Sequence, residues 1–172
     1  MMGLSATRQD TLYQRALVDY TATLKRVAQA YEADPEIRRD LLQEIHVALW
    51  RSFADFDERC SMRTWVFRVA HNTGVTHVVR ERRRRRQLIT LEEVEEIPAP
   101  SIDSDSQQRL NLLLAMIRQL KPLDRQVILS YLEDMDAAST AEVTGLSPSY
   151  VATKVHRIKK ILSRRFRAGE RA

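Results

Sequence analysis

The stretch from Ala137 to Leu162 reads AASTAEVTGLSPSYVATKVHRIKKIL. At its centre, Thr144-Gly145-Leu146 supplies a tight turn, in which Gly145 can take the positive φ that residues carrying a Cβ resist. Ser147 follows as an N-cap and Pro148 as the first residue of a new helix, where the missing N–H would have had no partner anyway. Val151, Val155, Ile158 and Leu162 recur at helical spacing and make one apolar stripe. Ser149, Thr153, His156, Arg157, Lys160 and Arg164 fall on the opposite side. Two helices joined this way, the second basic on its outer face, are the sequence form of a helix-turn-helix. An amphipathic helix pair with a merely solvated basic face is the plainer alternative. It accounts for the stripe but not for the agreement of turn, cap and one-sided charge.

Helical signals extend outward from this segment in both directions. Upstream, the periodicity predicts helices over Ser106–Leu120 and Pro122–Glu133, and the last helix is predicted to run to Phe166. Nearer the start, Leu12, Ala16, Tyr20, Leu24, Val27 and Tyr31 predict a helix over Arg8–Glu32. Asp34-Pro35 is a start signal for a second helix, reaching about Phe53. A third begins near Ser61 and continues into the arginines near Arg84. Between the two helical halves, Leu88–Gln107 carries Glu92, Glu93, Glu95, Glu96, Asp103 and Asp105, no basic residue, and a Pro98-Ala99-Pro100 break. That segment reads as an acidic, partly extended linker. The expected architecture is all-α: two small helical domains, 1–87 and 108–172, joined by residues 88–107.

Composition agrees and narrows the function. The 172 residues include only 4 glycines and 5 prolines, a scarcity that disfavours turn-rich β folds. Net charge is +5, with arginine prominent, which suits a polyanionic partner. Cys60 is the single cysteine, so no internal disulfide can form. No apolar run approaches the ~18–20 residues needed to span a bilayer, and Met1–Asp10 lacks the apolar stretch of a signal peptide. These features predict a cytoplasmic protein without membrane insertion. No zinc-type His/Cys spacing, P-loop or carboxylate–histidine constellation is visible, so no metal, cofactor or catalytic residue is expected.

Two features of the first half invite partners. In the second helix, Ile37, Leu41, Ile45 and Ala48 should face inward, flanked by Leu42 and Leu49. Glu36, Asp40, Gln43, Val47 and Trp50 should then face outward. An outward Val beside an outward Trp among polar residues resembles a protein-binding hot spot, although periodicity leaves open whether Trp50 folds back onto another helix. In the third helix, Trp65, Val66, Phe67 and Val69 are interleaved with Arg63, Arg68, His71, Asn72, His77 and Arg80, and Arg82–Arg86 extend the cationic run. Aromatics for stacking beside cations for phosphate suit a single strand. Each aromatic could equally pack in the core, and the arginine run could be a solvated tail.

Both halves resemble one family. Asp40-Leu41-Leu42-Gln43-Glu44, Trp50, and Met62-Arg63-Thr64-Trp65-Val66-Phe67-Arg68-Val69-Ala70-His71-Asn72 resemble region 2 of extracytoplasmic-function sigma factors. Leu120-Lys121-Pro122-Leu123-Asp124-Arg125-Gln126-Val127 and the helix-turn-helix through Lys154-Val155-His156-Arg157 resemble region 4. The resemblance implies a non-enzymatic initiation factor that binds core RNA polymerase and promoter DNA. It places Asp40, Gln43, Glu44, His46, Val47 and Trp50 on the β′ clamp helices. It places Arg63, Trp65, Arg68, His71, Asn72 and Arg80 on the opened −10 strand, next to a base-capturing loop at Asp57–Met62. Ser149, Thr153, Lys154, His156, Arg157 and Lys160 fall on the −35 duplex. Ser149, Thr153 and Arg157 are expected nearest the base edges, and Lys159, Lys160, Arg164 and Arg165 on phosphates. The resemblance further implies contact with the β flap, an anti-sigma inhibitor, and a linker path toward the RNA exit channel. Met62 stands where the family usually has Phe, and Tyr150 and Ala152 stand where it usually has Thr and Lys.

A duplex-binding repressor or activator sharing the helix-turn-helix is a competing expectation, but it would usually need a dimer and a ligand domain, and neither is visible. An enzyme of nucleic-acid metabolism and a sigma mimic that titrates an inhibitor are the others.

Overall fold

The computed structural model describes residues 7–88 and 106–169. Seven helices occur among them: α1 (Arg8–Tyr31), α2 (Pro35–Ser52), α3 (Met62–Leu88), α4 (Ser106–Arg118), α5 (Pro122–Leu132), α6 (Ala137–Thr144) and α7 (Pro148–Gly169). The acidic linker expected between the halves lies outside the described residues, apart from its ends. Leu88 closes α3, and Ser106 and Gln107 open α4.

Local chemistry sets the helix ends. Thr7 and Asp10 form a reciprocal capping box at the start of α1. Asp34 caps α2, its Oδ1 accepting from the backbone N–H groups of Glu36 (2.8 Å) and Ile37 (3.1 Å), with Pro35 at the first position. The Ser61 hydroxyl accepts from the Thr64 N–H at the head of α3. Asp136 caps α6, which ends on Gly145 at φ 74°. The turn glycine read from the sequence therefore occupies the left-handed region.

α1, α2 and α3 pack mutually, as do α5, α6 and α7, with α4 against α5 and α7, and the two groups also pack on each other through α1 on α4 and α3 on α5 and α6. In α2 the buried stripe is Leu41, Ile45 and Leu49. Leu49 is thus core rather than flank, while Ile37 and Ala48 are only half-buried. The i, i+4, i+8 ladder drifts by about 40° per step around the helix, so the burial centre rotates relative to the expected face.

One close approach is visible in the sequence only as an oddity, a glycine inside α3. A Cβ on Gly74 would lie 2.6–2.9 Å from three carbons of the Tyr31 ring. Gly74 thus lets α1 and α3 close on a buried tyrosine, despite costing the helix about 1 kcal/mol relative to alanine. Gly74→Ala is expected to destabilise the protein by about 1–3 kcal/mol through overpacking. Urea-unfolding midpoints would show it, and an unchanged or raised midpoint would refute the close-approach account.

Candidate functional site

The outward face of α2 is open. Asp40 and Gln43 are exposed, Val47 is 48% exposed and Trp50 40%. The Trp50 indole does not enter the core. Its Nε1 donates to Asp10 Oδ1 at 2.9 Å, and its backbone carbonyl accepts from Gln9 Nε2 at 2.7 Å, so α1 pins the ring edge and leaves the face accessible. Thr7 and Trp50 both donate to the Asp10 carboxylate and hold its pKa below the ordinary value. Glu44 is half-buried and accepts from Arg80 at 2.9 Å. His46 Nδ1 lies 3.1 Å from the Tyr13 hydroxyl, and burial pushes its pKa down. A groove of about 620 Å³ runs along Asp40, Gln43, Glu44, Val47 and Arg51 to Thr73 of α3.

The start of α3 is covered instead. The Arg63 guanidinium donates to the Glu133 carbonyl and lies 5.9 Å over the Phe67 ring. Phe67 is buried with Met135 and Val143, and Arg68 donates to the Glu142 carbonyl at 3.0 Å. The Trp65 indole donates to Ser52 Oγ at 2.9 Å and its ring lies 5.2 Å from Phe56. Among the six residues expected on an opened strand, only Asn72 and Arg80 are exposed. His71 corrects the expectation outright. It is fully buried, its Nδ1 is 3.0 Å from the Tyr31 hydroxyl, its Nε2 has no partner, and burial lowers its pKa to about 3. It serves as neutral core packing in this arrangement. His77 is likewise buried, 2.8 Å from Glu32.

Residues that sequence reading missed hold the two halves together. Glu133 accepts from Arg26 Nη2 at 2.7 Å and from Thr23 Oγ1 at 2.9 Å. Arg118 donates to the Gln29 carbonyl at 2.7 Å, and Arg125 lies 5.0 Å over the Tyr31 ring. Arg26 and Glu133 are 107 residues apart, a separation at which no periodicity carries information.

α7 has the two faces read from the sequence. Val151, Ile158 and Leu162 are buried and Val155 half-buried, while Ser149, Thr153, His156, Arg157 and Lys160 are exposed. Lys154 departs from the expected set. Its side chain is 10% exposed and ion-pairs with Asp124 of α5, so it faces the domain rather than a duplex. The signal that would have placed it there is its position at the edge of the apolar stripe, about 40° from Ile158 around the helix. Arg157 is 65% exposed, with Nη2 3.8 Å from Asp124 Oδ2. Lys159 donates to the Tyr131 hydroxyl at 3.0 Å, and Arg165 to Gln119 Oε1 at 3.1 Å.

The family models for sigma-70 region 2 and sigma-70 region 4 match residues 17–84 and 110–162. The chain is 31% identical over 143 residues to the RNA polymerase sigma-H factor of Pseudomonas aeruginosa, covering 80% of this chain and 72% of that protein. The chain belongs to the extracytoplasmic-function sigma factors. It is also 31% identical over 114 residues to the ECF RNA polymerase sigma factor SigG of Mycobacterium tuberculosis, across 63% of this chain but only 29% of SigG's length. Two solved structures share the sigma-factor fold. CnrH in complex with the cytosolic domain of CnrY matches at TM-score 0.63 and 21% identity, covering 91% of this chain and 88% of that one. RpoE in complex with the anti-sigma factor NepR from Bartonella quintana matches at 0.64 and 18%, covering 88% and 94%. In sigma-factor terms, the matched region 2 comprises most of α1 with α2 and α3, and the matched region 4 runs from α4 into α7.

The buried neutral His71 makes the fold acid-sensitive. Its folded pKa of about 3 lies below the ordinary value of 6.5, so the unfolded chain binds the proton first. Stability is therefore lost as pH falls from 6.5 toward 3. Between pH 7.5 and 5 the unfolding midpoint of the wild type should drop, and His71→Gln should remove part of that drop. Identical pH dependence in both proteins would show that His71 is not held neutral.

Proposed function

We propose that this sigma factor docks on core RNA polymerase through the exposed face of α2, reads promoter duplex with α7, and holds opened DNA along α3. The observation that carries the reading is the α7 surface. Its apolar positions are buried or half-buried, while Ser149, Thr153, His156, Arg157 and Lys160 stand clear on one side, behind a turn in which Gly145 occupies the left-handed region. A helix presented this way fits a major groove, its first turns on base edges and its later cations on phosphates.

On α2, Val47 and Trp50 offer an apolar anchor beside the Asp40–Gln43–Glu44 groove, a fit to the clamp helices of β′. A second apolar groove, of about 420 Å³ between α4 and α7, is lined by Leu110, Leu113, Met116, Leu162 and Phe166 and suits the β flap. Strand capture by α3 requires the two units to part, because Arg63 and Arg68 are bonded to carbonyls of the C-terminal unit. Unstacking a base costs a few kcal/mol, and stacking on an aromatic with cation contacts returns about 1–3 kcal/mol per base. Docking on polymerase supplies the rest, and RNA synthesis remains the polymerase's chemistry. CnrH is seen with the cytosolic domain of CnrY and RpoE with the anti-sigma factor NepR, and an anti-sigma inhibitor fits the apolar surfaces here. The site of action is the cytoplasm. Among the described residues no helix is long and apolar enough to cross a membrane, and no cluster of His, Cys, Asp or Glu could hold a metal ion.

Run-off transcription with core polymerase on genomic promoters tests the reading. Transcripts identical with and without this chain would end it. Val47→Asp should weaken binding to core polymerase by at least about 2 kcal/mol, the scale of a hot-spot loss, while thermal unfolding is unchanged. Arg157→Ala should cost roughly 1–3 kcal/mol of discrimination between preferred and altered −35 sequences. An equal loss on every sequence would make Arg157 a phosphate contact instead.

A further inference from the structure

Asp124 stands in the first turn of α5, outside the helix that meets DNA in the reading above. Its side chain is 13% exposed and faces α7. One carboxylate oxygen is ion-paired with Lys154, and the other lies 3.8 Å from Arg157 Nη2. Lys154 and Arg157 are three residues apart, so they share a flank of α7 and meet the same carboxylate from adjacent turns. A carboxylate this buried needs a cationic partner. Lys154, which also lies 5.3 Å over the Tyr150 ring, supplies it from a position 10% exposed. The second oxygen is left to act on Arg157, whose guanidinium is mostly in solvent.

We propose that Asp124 is a positioning and specificity-determining residue for duplex reading, aiming the Arg157 guanidinium at a base edge while opposing sequence-independent attraction to phosphate. The inference rests on the reading of α7 as the duplex-facing helix. The physical case has two parts. Bidentate recognition of a base by arginine requires the planar fork in one orientation, and an arginine held before binding loses less side-chain freedom on binding. The carboxylate also neutralises Lys154. Without its charge, a net positive charge is added beside the backbone of any duplex, whatever its sequence.

The two parts predict opposite signs, which a purely structural role would not produce. Holoenzyme assembled from the full chain and core polymerase is first used to select preferred −35 duplexes from a randomised pool. Binding of preferred and scrambled duplexes is then compared among wild type, Asp124→Asn, Arg157→Ala, the double variant and Lys154→Met. Asp124→Asn should bind scrambled duplex as tightly as wild type or more tightly. It should lose at least about fivefold of preference, the low end for one base-reading contact, at the base pair whose identity Arg157→Ala also erases. The double variant should show no further loss there. Lys154→Met should lower the unfolding temperature yet keep the preferred base.

Retained preference in Asp124→Asn, or equal loss in Lys154→Met, overturns the inference, the second because the effect would then run through α7 packing. If Asp124→Asn melts below the assay temperature, Asp124→Glu moves the same charge by one methylene. A changed preference with unchanged scrambled binding then supports the inference, and an unchanged preference overturns it. A wild-type holoenzyme with no preference at any −35 position sinks the reading of α7 itself, and this inference with it. A wild type that selects a sequence while Asp124→Asn selects the same one sinks only the role of Asp124.

Discussion

Tyr31 is wedged where three helices meet. It ends α1, its ring fills the space that the missing Cβ of Gly74 leaves on α3, and its hydroxyl lies against His71 Nδ1. On its far side Arg125 of α5 covers the ring at 5.0 Å. Burial pushes the Tyr31 hydroxyl pKa up and keeps it neutral. The same burial keeps His71 neutral and works against the charge of Arg125. A phenol is well suited to this place: an apolar body for packing, with one polar atom that finds a partner when buried. The mutual position of α1 and α3, and the seat of α5 upon them, follow from this one ring.

That seat has a consequence for the face of α3 nearest the amino end. Once α5 and α6 rest on it, Phe67 joins Met135 and Val143, and the guanidinium groups of Arg63 and Arg68 find backbone carbonyls. The clamp on Glu133 by Arg26 and Thr23 fastens the same junction at its edge. Arg63 and Arg68 are thus satisfied within the chain, while Arg157 and Lys160 on α7 and the apolar pair on α2 remain outward. Buried polar groups need partners wherever they find them, and carbonyls at the ends of short helices such as α5 and α6 are ready acceptors.

Electrostatics sorts the cations of α7 in the same way. Lys154, Arg157 and Lys160 look equivalent as residue types, yet Lys154 is sunk against Asp124, Arg157 leans on the same carboxylate while pointing outward, and Lys160 is exposed. A basic face is therefore graded rather than uniform, and the grading comes from one aspartate on a neighbouring helix.

Much of the fold was legible in the residues. The Asp34-Pro35 start, the Gly145 turn, the Ser147-Pro148 start and the apolar stripe of α7 are local signals, because caps and 3.6-residue periodicity act over a single turn or two. The motifs of both halves were legible for the same reason. What the chain could not announce was where its two halves touch. The burial of His71, the loss of Lys154 to Asp124, the pairing of Arg26 with Glu133 and the surface position of Trp50 all join residues from 30 to 107 positions apart. The sequence by itself determined which helices form and which sides of them are apolar, since those depend on neighbours along the chain. Only the tertiary structure decided which charged and aromatic side chains stay free for a partner, because burial and ion pairing are set by whichever surface arrives opposite.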